Sequence, residues 1–468
     1  MNLFNLLDVG ITIFGQTREI ELSWIGSLIK GLIEGIGSVG IGVILFSIIL
    51  KLIVMPFDVM QRVSMRKQNA QMEKNKEKME RLQKQYANNK DLYNQKVSEM
   101  YKKEGMSMLS SCLPTIISLV IFIVAINNFT AYSQYADVHN YNLLVNQYNE
   151  KVLTYAVNDA DVNASFITEE TREGQAFVRV EDENKFIYYM VAKPTTAYTP
   201  ESITATASAD RNYFINTEKV KANATLNTAV MGTLSTATPT EEEYAAACKD
   251  YFMGEAQTAV YEKYHSDVKT KTSFLWIKNI WATDASFKSP VLEYADFKTA
   301  IAQRSGCGSC GSCGSCGTAE NEELTGNPYD EATYNIVTGK LSAEKDAPNG
   351  YYILIVLSIG TILLQQFLSM RSNKAQNQYS SVDGQGAMSQ KTMMIMMTVM
   401  FAVFSFMYSA AFSVYLVVGN LLSMVSTLVI NKAVDVSLRK KEEAALQAKY
   451  NQRFPGRKPL DGDKKKKQ

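Results

Sequence analysis

The chain has 468 residues and nearly balanced charge, with 48 lysines and arginines against 47 acidic residues, and it contains only two histidines. So few histidines disfavour a His-rich metal site. The mean hydropathy of −0.12 would suit a soluble protein. The apolar residues, however, concentrate in a few windows of about 20 residues, the length that crosses a bilayer as a helix. The chain is also long enough to hold a soluble domain beside these windows.

Residues 1–35 contain two weakly apolar segments. The run from residue 3 to residue 14 is broken by Asp8 and lacks a basic start and a small-residue cleavage site. We interpret it as an interfacial segment rather than a cleaved signal peptide. Residues 24–34 are amphipathic, which predicts either a helix lying flat in the outer membrane interface or an extension of the next helix.

Residues 36–57 form the first membrane span, with Lys51 as its single charge and with Pro56 marking its end. Residues 58–106 are basic, with 12 lysines and arginines against 7 acidic residues. Apolar residues recur at heptad-like spacing on both sides of a turn signal at residues 88–91. The pattern predicts a helical hairpin with one apolar seam. The seam comprises Met65, Met72, Met79, Leu82, Val97, Met100 and Tyr101.

Four further spans and three connecting segments complete the chain. A long region at 131–350 is acidic, with 18 lysines and arginines against 30 acidic residues, and has no window long enough to span. The loop and the tail that follow are basic. The tail holds 12 lysines and arginines against 5 acidic residues. The predicted spans are 107–130, 351–370, 392–408 and 411–431. They are joined by the region 131–350, the loop 371–391 and a tight turn at 409–410, and the tail 432–468 follows the last span.

The distribution of charge predicts one orientation. Lysine and arginine in short loops mark the cytoplasmic side of a membrane protein. With five spans, the basic hairpin, the basic loop and the basic tail all fall on one side, which we expect to be cytoplasmic. The N-terminus and the acidic region 131–350 are then extracellular. The predicted fold class is an α-helical membrane protein with a core of five transmembrane helices, a cytoplasmic helical hairpin and an inserted extracellular region that is α+β or β-rich.

Lys51 lies inside the first span, where a cation costs a few kcal/mol unless it faces water or a partner. Two interpretations are open. The side chain could extend to the cytoplasmic interface, because Phe57 is only about 9 Å further along the helix. Alternatively, it could line a hydrated groove with other polar residues of the spans. Isolated polar residues usually only bond neighbouring helices. The candidates for such a groove are Ser47, Lys51, Ser118, Gln365, Gln366, Tyr415 and Asn420.

Several segments resemble the YidC-type membrane protein insertases of bacteria, in the order in which that family has them. The run SIILKLIVMP resembles the first core helix, and EKMERLQKQY with EMYKKEGMSMLSSCLP resembles the cytoplasmic hairpin and the start of the second core helix. FLWIKNIW and YYILIVLSIGTILLQQFLS are similar to the approach to the third core helix and to that helix. MMIMMTVMFAVFSFMYSAAFSVYLVVGNLLS resembles the last two helices and their turn. Together these segments cover about half of the chain.

The resemblance implies a membrane protein insertase and chaperone. In that family a groove opens to the cytoplasm and sideways to lipid, and its buried positive charge attracts acidic or polar parts of a substrate. The hydrophobic span of the substrate then slides into lipid. The expected partners are nascent membrane proteins, the ribosome, the signal recognition particle receptor and the Sec translocon. The basic segments also suit anionic lipid. The resemblance implies no covalent chemistry and no cofactor, so the chain is not expected to be an enzyme.

The sequence departs from the family pattern at three positions. Lys51 replaces an arginine, which keeps the charge but loses the planar guanidinium. Ser118 stands where many members have a glutamine, and Ser409 where they have a proline. A dense group of methionines at residues 393–400 could form an adaptable apolar surface for varied substrate helices, or could simply fill the packing between helices.

The acidic region contains a Gly/Cys tract at 306–317. Its cysteines, spaced as C-x-x-C, are Cys307, Cys310, Cys313 and Cys316. Three interpretations stay open: a linker with disulfides, which an extracellular location favours, a soft-metal site, or no specific role. The metal content is thus unknown.

Two other functions compete with the insertase. A small-solute transporter or channel would need polar residues through the whole depth of the membrane and often paired repeats. The outer half of the first span is apolar or glycine apart from Ser38, and we detect no repeat. A membrane-anchored extracellular redox or metal sensor would use the cysteine tract, but it would leave the ordered set of helix motifs unexplained.

Overall fold

The computed structural model of the chain describes residues 9–14, 17, 19–103, 109–155, 166–169, 176–181, 187–192, 213–302, 328–372 and 386–453. Helices dominate these residues. In chain order they are α1 (Trp24–Glu34), α2 (Val39–Lys74), α3 (Lys76–Gln85), α4 (Lys90–Lys103), α5 (Leu109–Thr154), α6 (Thr217–Ala222), α7 (Ala224–Met231), α8 (Glu241–Lys263), α9 (Lys269–Thr272), α10 (Tyr294–Ala302), α11 (Glu331–Val337), α12 (Ser342–Lys345), α13 (Ile353–Ser372), α14 (Gly386–Met407) and α15 (Ala410–Arg453). The strands are β1 (Val9–Ile11), β2 (Ile167–Glu169), β3 (Ala176–Glu181), β4 (Ile187–Ala192) and β5 (Tyr213–Ile215).

The chain divides into two compact units. The first, which we call the insert unit, comprises Met1–Lys30 and Phe129–Tyr351. The second, the span unit, comprises Gly31–Asn128 and Tyr352–Gln468. The insert unit therefore combines the predicted acidic region with the N-terminal segment, and the span unit contains most of the apolar windows.

The N-terminal segment is part of the core of the insert unit. Strand β1 pairs antiparallel with β5, and β5 pairs antiparallel with β2, so that Ile215 lies opposite both Val9 and Ile167. Ile13 is fully buried just after β1. The interpretation of this segment as interfacial is therefore wrong for residues 9–14. Its apolar residues are covered by strands that are more than 150 residues away in the sequence, which local periodicity cannot reveal.

Asn149 of α5 binds the N-terminal segment through two hydrogen bonds. The backbone N–H of Phe14 donates to Oδ1 of Asn149 at 2.9 Å, and Nδ2 of Asn149 donates to the carbonyl of Phe14 at 3.0 Å. Both groups of Phe14 are buried, and its ring packs against Tyr148 at 5.0 Å between centroids. One side chain thus replaces the ladder partners that the backbone loses where the strand ends.

The rest of the described insert unit is mostly helical with two small sheets. Strands β3 and β4 form an antiparallel pair from Ala176 to Ala192. Helix α8 begins with a capping box, in which Thr240 accepts from the N–H of Glu243 and Glu243 accepts from the N–H of Thr240. The described residues are thus α+β in character, with more helix than strand.

The segment Phe274–Trp281 folds as a turn that hydrogen bonds to Asn349 hold in place. Leu275 has a positive φ of 55°, and Phe274 and Ile277 form an isolated bridge around it. Buried Asn349 donates from Nδ2 to the carbonyls of Asn279 and Thr283, at 2.9 Å each. The segment that precedes the third predicted span is thereby fixed by buried amide groups.

Helices α1 and α2 are separated by a short turn, and Gly37 in this turn has a φ of 78°. The backbone of Ile33 approaches Gly42 so closely that a Cβ at position 42 would lie 2.6 Å from the Ile33 carbonyl oxygen. Residues 24–34 are therefore a separate helix, and the alternative of a continuous extension of the next helix is wrong.

Four helices of the span unit pack against each other: α2, α13, α14 and α15. Within the described residues, three helical segments are long and apolar enough to cross a membrane: Val39–Arg66, Ile353–Arg371 and Ala410–Tyr450. Thr398–Met407 is a shorter apolar helix. Apolar side chains on these helices point outward, as lipid contact requires. Examples are Leu52, Ile53, Val356, Phe367, Met396, Val425 and Leu428. The chain is thus a multi-pass α-helical membrane protein.

Helices α14 and α15 are joined by only two residues, Tyr408 and Ser409. The backbone N–H of Phe412 donates to the carbonyl of Ser409 at 3.0 Å. The prediction of a tight turn here is confirmed.

Helices α3 and α4 form a hairpin with its own small core. Met79 is fully buried, and Tyr93 and Val97 pack with it. Leu82, Tyr86 and Met100 cover this cluster. Met79, Leu82, Val97 and Met100 belong to the seam that the sequence predicts, whereas Tyr93 was not in that set.

Candidate polar groove

Helix α2 carries four polar residues on one face: Ser47, Lys51, Asp58 and Arg62. Their spacings of four, seven and four residues follow the turns of an α-helix, which has about 3.6 residues per turn. Ser47 is fully buried, and its hydroxyl donates to the carbonyl of Val43 at 2.7 Å. The hydroxyl is therefore satisfied within its own helix.

Lys51 and Asp58 form an ion pair along this face, between Nζ of the lysine and Oδ2 of the aspartate. The two side chains retain only 15% and 13% of their exposure. Cβ atoms tilt toward the N-terminus of a helix, so the aspartate points back toward the lysine. The long lysine side chain covers the rest of the two turns. The charge of Lys51 thus has a resident counterion.

Asp58 is not predicted from the sequence, because Pro56 indicates the end of the span before it. Helix α2 instead continues through Pro56 to Lys74. Proline removes one backbone donor from a helix interior, yet both flanks stay helical, and Asp58 remains in register with Lys51. The signal that could have revealed Asp58 is its spacing of seven residues from a buried cation.

Arg62 follows Asp58 by one turn. Its Nε is buried and has no hydrogen-bond partner among the described residues. A second arginine one turn further, Arg66, is different: its Nε and Nη2 donate to Oδ1 and Oδ2 of Asp435 of α15, at 2.7 and 2.9 Å. Arg66 therefore joins two helices, whereas Arg62 is a cation whose Nε donor has no acceptor among the described residues.

Two of the other predicted polar residues, Gln366 and Asn420, form hydrogen bonds between neighbouring helices. Oε1 of Gln366 accepts from the hydroxyl of Thr398 at 3.2 Å, and Nδ2 of Asn420 donates to the hydroxyl of Thr361 at 3.4 Å. These bonds match the usual role of isolated polar groups in membrane helices. Among the described residues, no hydrogen bond connects Gln366 or Asn420 with Lys51.

Tyr415 lies in an aromatic group and is half-buried. Its ring centroid lies 6.5 Å from Phe46, 6.3 Å from Phe122 and 6.1 Å from Phe412. Gln365 is also half-buried. Ser118 belongs to α5, but its side chain is outside the described part of the chain. The structure therefore brings Ser47 and Lys51 onto one face, and it adds Asp58 and Arg62, which were not predicted.

The chemistry of this face is electrostatic. Lys51, Asp58 and Arg62 together carry one net positive charge. A weakly hydrated cation attracts carboxylates more strongly than it would in bulk water. The described residues contain no group of three metal-ligating side chains, and the cysteines at 307–316 lie outside them.

The sequence also matches a known family. The model of the family described as 60Kd inner membrane protein matches residues 31–197 and 319–438, which is more than half of the chain. The matched ranges include α2, the hairpin, α13, α14 and most of α15. The intervening part of the insert unit falls outside them. No solved structure matches the chain with statistical significance.

Several curated relatives of the chain carry the name membrane protein insertase YidC. The protein of Fusobacterium nucleatum is 33% identical over 86 residues, which are 18% of this chain and 40% of that protein. The protein of Francisella philomiragia is 34% identical over 122 residues, 26% of this chain and 20% of that protein. The protein of Geobacter metallireducens is 29% identical over 112 residues, 22% of this chain and 20% of that protein. The alignments thus span between a fifth and two fifths of these relatives. On the strength of the family match, the chain belongs to the 60Kd inner membrane protein family.

Proposed function

We propose that this chain is a membrane protein insertase and chaperone of the bacterial plasma membrane. It moves hydrophobic segments of nascent proteins from the cytoplasm into the bilayer through a polar intramembrane groove. The observation that carries the proposal is the polar face of α2, with Ser47, Lys51, Asp58 and Arg62 on a helix whose residues 39–57 are otherwise apolar or glycine. Family membership and relatives named as insertases support the same function.

The proposed groove works without covalent chemistry. A cation inside the span lowers the cost of bringing an acidic or polar substrate segment into the membrane, because opposite charges about 4 Å apart attract by roughly 4 kcal/mol at an intermediate dielectric. That attraction is strong enough to hold a segment briefly and weak enough to release it. The proposed groove residues are Lys51 and Ser47, with Ser118, Gln365, Gln366, Tyr415 and Asn420 as further polar neighbours.

Outward-facing methionines suit a path for the apolar part of the substrate. Met396, Met400 and Met407 on α14 are 67%, 42% and 72% exposed. Methionine is flexible and polarizable, so it adapts to side chains of different shape. We propose that substrate spans leave the groove along this helix.

The proposed topology has five spans, with the hairpin α3–α4 and the tail in the cytoplasm and residues 131–350 outside. The basic charge of 58–106 and 432–468 supports it. We propose that these basic segments contact ribosomes, the signal recognition particle receptor and anionic lipid, and that the core contacts the Sec translocon.

Complementation tests the function. Cells depleted of their own insertase should grow when they express this chain, and nascent membrane proteins stalled on ribosomes should crosslink to residues near Lys51. A transporter or an anchored sensor would neither restore insertion nor crosslink to nascent chains. Failure of both experiments at normal protein abundance would refute the proposal.

Labelling of single cysteines tests the topology and the cysteine tract. An impermeant thiol reagent on intact cells should label a cysteine at position 200 and spare one at position 80. The opposite pattern would invert the topology. In the native chain, labelling of Cys307, Cys310, Cys313 and Cys316 should require a reductant if the tract carries disulfides, and bound metal on the purified protein would indicate the metal site instead.

A further inference from the structure

Asp58 already pairs with Lys51, the cation that the proposed groove offers to substrate carboxylates. Its carboxylate contacts the ammonium group of Lys51, and both side chains are nearly buried. A substrate carboxylate that binds Lys51 must therefore compete with a carboxylate that is already part of α2. The strength of this internal pair sets how much of the attraction remains for the substrate.

A second partner for Asp58 is present on the same face. Arg62 lies four residues after Asp58, a spacing at which an aspartate and an arginine on a helix can pair. The buried Nε of Arg62 has no partner among the described residues. A buried donor without an acceptor is costly, so the carboxylate of Asp58 would be stabilised if it moved to Nε of Arg62. Nearby Arg66 cannot take this role as readily, because Asp435 already holds it.

We propose that Asp58 is an exchangeable counterion that determines the preference of the groove for acidic substrate segments. In the resting state Asp58 neutralises Lys51. When an acidic segment enters, its carboxylate takes the place of Asp58 on Lys51, and Asp58 turns to Arg62. Neutral segments leave the resting pair intact. The inference rests on the proposed insertase function and adds a specificity-determining residue to it.

The exchange needs no new charge and no proton transfer. Before and after it, Lys51 and Asp58 each have an opposite charge beside them, and Arg62 gains an acceptor. The barrier to substrate entry is therefore lower than if Asp58 were left alone in a poorly hydrated site, where an unpaired charge is strongly disfavoured.

Purified protein in proteoliposomes tests the proposal with two substrates that differ only in the translocated tail, which carries aspartates in one and asparagines at the same positions in the other. Asp58→Asn should raise the ratio of acidic to neutral insertion severalfold, because Lys51 is then permanently available. Asp58→Glu, which restores a carboxylate, should bring the ratio back toward the wild-type value. Arg62→Gln should lower the ratio, because a displaced Asp58 loses its second partner.

Glu443→Gln is the control, since it removes a carboxylate from an exposed position of α15. It should leave the ratio unchanged. An unchanged ratio in Asp58→Asn, while the wild type inserts both substrates, would overturn the counterion role and leave the insertase proposal standing. No insertion by the wild type would refute the insertase proposal itself.

Asp58→Ser provides a second neutral variant if Asp58→Asn accumulates poorly. Insertion is measured at equal amounts of reconstituted protein, so abundance does not enter the ratio. If neither neutral variant folds and Asp58→Glu does, Asp58 is a structural partner of Lys51 and the exchange is refuted.

Discussion

Lys51 and Asp58 neutralise each other across two turns of a single helix, with a proline between them. A cation within a membrane span usually marks function, and its partner shows how the protein tolerates it. Here the partner comes from the same helix and not from a neighbouring span. On the proposed exchange, Lys51 becomes available to a substrate carboxylate only when Asp58 leaves it.

The ion pair predicts that Lys51→Ala lowers the abundance of the protein, whereas Lys51→Arg preserves it. Removal of one partner of a nearly buried pair typically costs about 3–5 kcal/mol, and this is an upper limit here because the charge of Asp58 can turn to Arg62. The second substitution in Lys51→Ala/Asp58→Asn should restore abundance, because it removes that charge. Quantitative blotting of membranes measures the three variants. Normal abundance of Lys51→Ala alone would show that the pair contributes little to stability.

The polar face of α2 shows how far the sequence predicts the site. The apolar window and its single charge identify Lys51, and Ser47 follows from helical spacing. Asp58 was missed because a proline was taken as the end of the span, whereas lateral packing against α15 supports the helix past it. The polar residues of α13 and α15 were predicted as groove candidates, but their bonds to Thr398 and Thr361 depend on the packing of helices that no local pattern specifies.

The core of the hairpin predicts that Met79→Ala unfolds α3 and α4 locally. Met79 is fully buried among Tyr93, Val97 and their neighbours, and truncation of a buried methionine costs about 2–5 kcal/mol. A core of this size cannot absorb that loss. Hydrogen exchange of α3 and α4 should accelerate strongly, whereas exchange in α13 should not change. Lys78→Ala, at an exposed neighbouring position, is the control. Equal protection in both variants would show that the hairpin does not depend on this cluster.

The two hydrogen bonds between Asn149 and Phe14 predict that Asn149→Ala releases the N-terminal segment. Phe14 would lose two hydrogen bonds, one donated by its buried N–H and one accepted by its buried carbonyl, and each lost hydrogen bond costs about 0.5–1.5 kcal/mol. Hydrogen exchange of Phe14 and of β1 should therefore rise at least about tenfold in the full chain. Glu150→Ala, at the exposed next position, should leave it unchanged. An equal effect of the two substitutions on hydrogen exchange would show that Asn149 does not hold the N-terminal segment in place.

Asp137 of α5 predicts a pH dependence of the insert unit. Burial, with a smaller contribution from Asp296, raises the pKa of Asp137 to about 8. A carboxyl group whose pKa is raised in the folded state is protonated there and ionised in the unfolded chain. Stability therefore falls as pH rises from about 4 to about 8, by at most about 1.4 kcal/mol per pH unit.

Asp137→Asn should remove this dependence and stabilise the insert unit at pH 8. Thermal unfolding or hydrogen exchange of the full chain at pH 5 and pH 8 measures it. Asp250→Asn, at an exposed position, is the matched control and should keep the wild-type slope. A wild-type slope in Asp137→Asn would show that this carboxyl group does not cause the dependence.

The insert unit shows where prediction from sequence ends. The sequence indicates the acidic charge of residues 131–350, because charge depends on composition, but it does not indicate that Met1–Lys30 belongs to the same unit. The pairing of β1 with β5 and the bonds of Asn349 to the turn at 279–283 join residues far apart in the chain. Such contacts are set by tertiary packing, which local propensity does not encode.

The most direct test of the account is insertion by Lys51→Ala/Asp58→Asn in proteoliposomes with the paired acidic and neutral substrates. This variant removes the Lys51 cation together with the carboxylate of Asp58, so a loss of function cannot be attributed to an unpaired Asp58. The account predicts that insertion of the acidic substrate falls several-fold while insertion of the neutral substrate stays near the wild-type level. Equal insertion of both substrates at the wild-type rate would contradict it and would leave Lys51 and Asp58 as a structural ion pair.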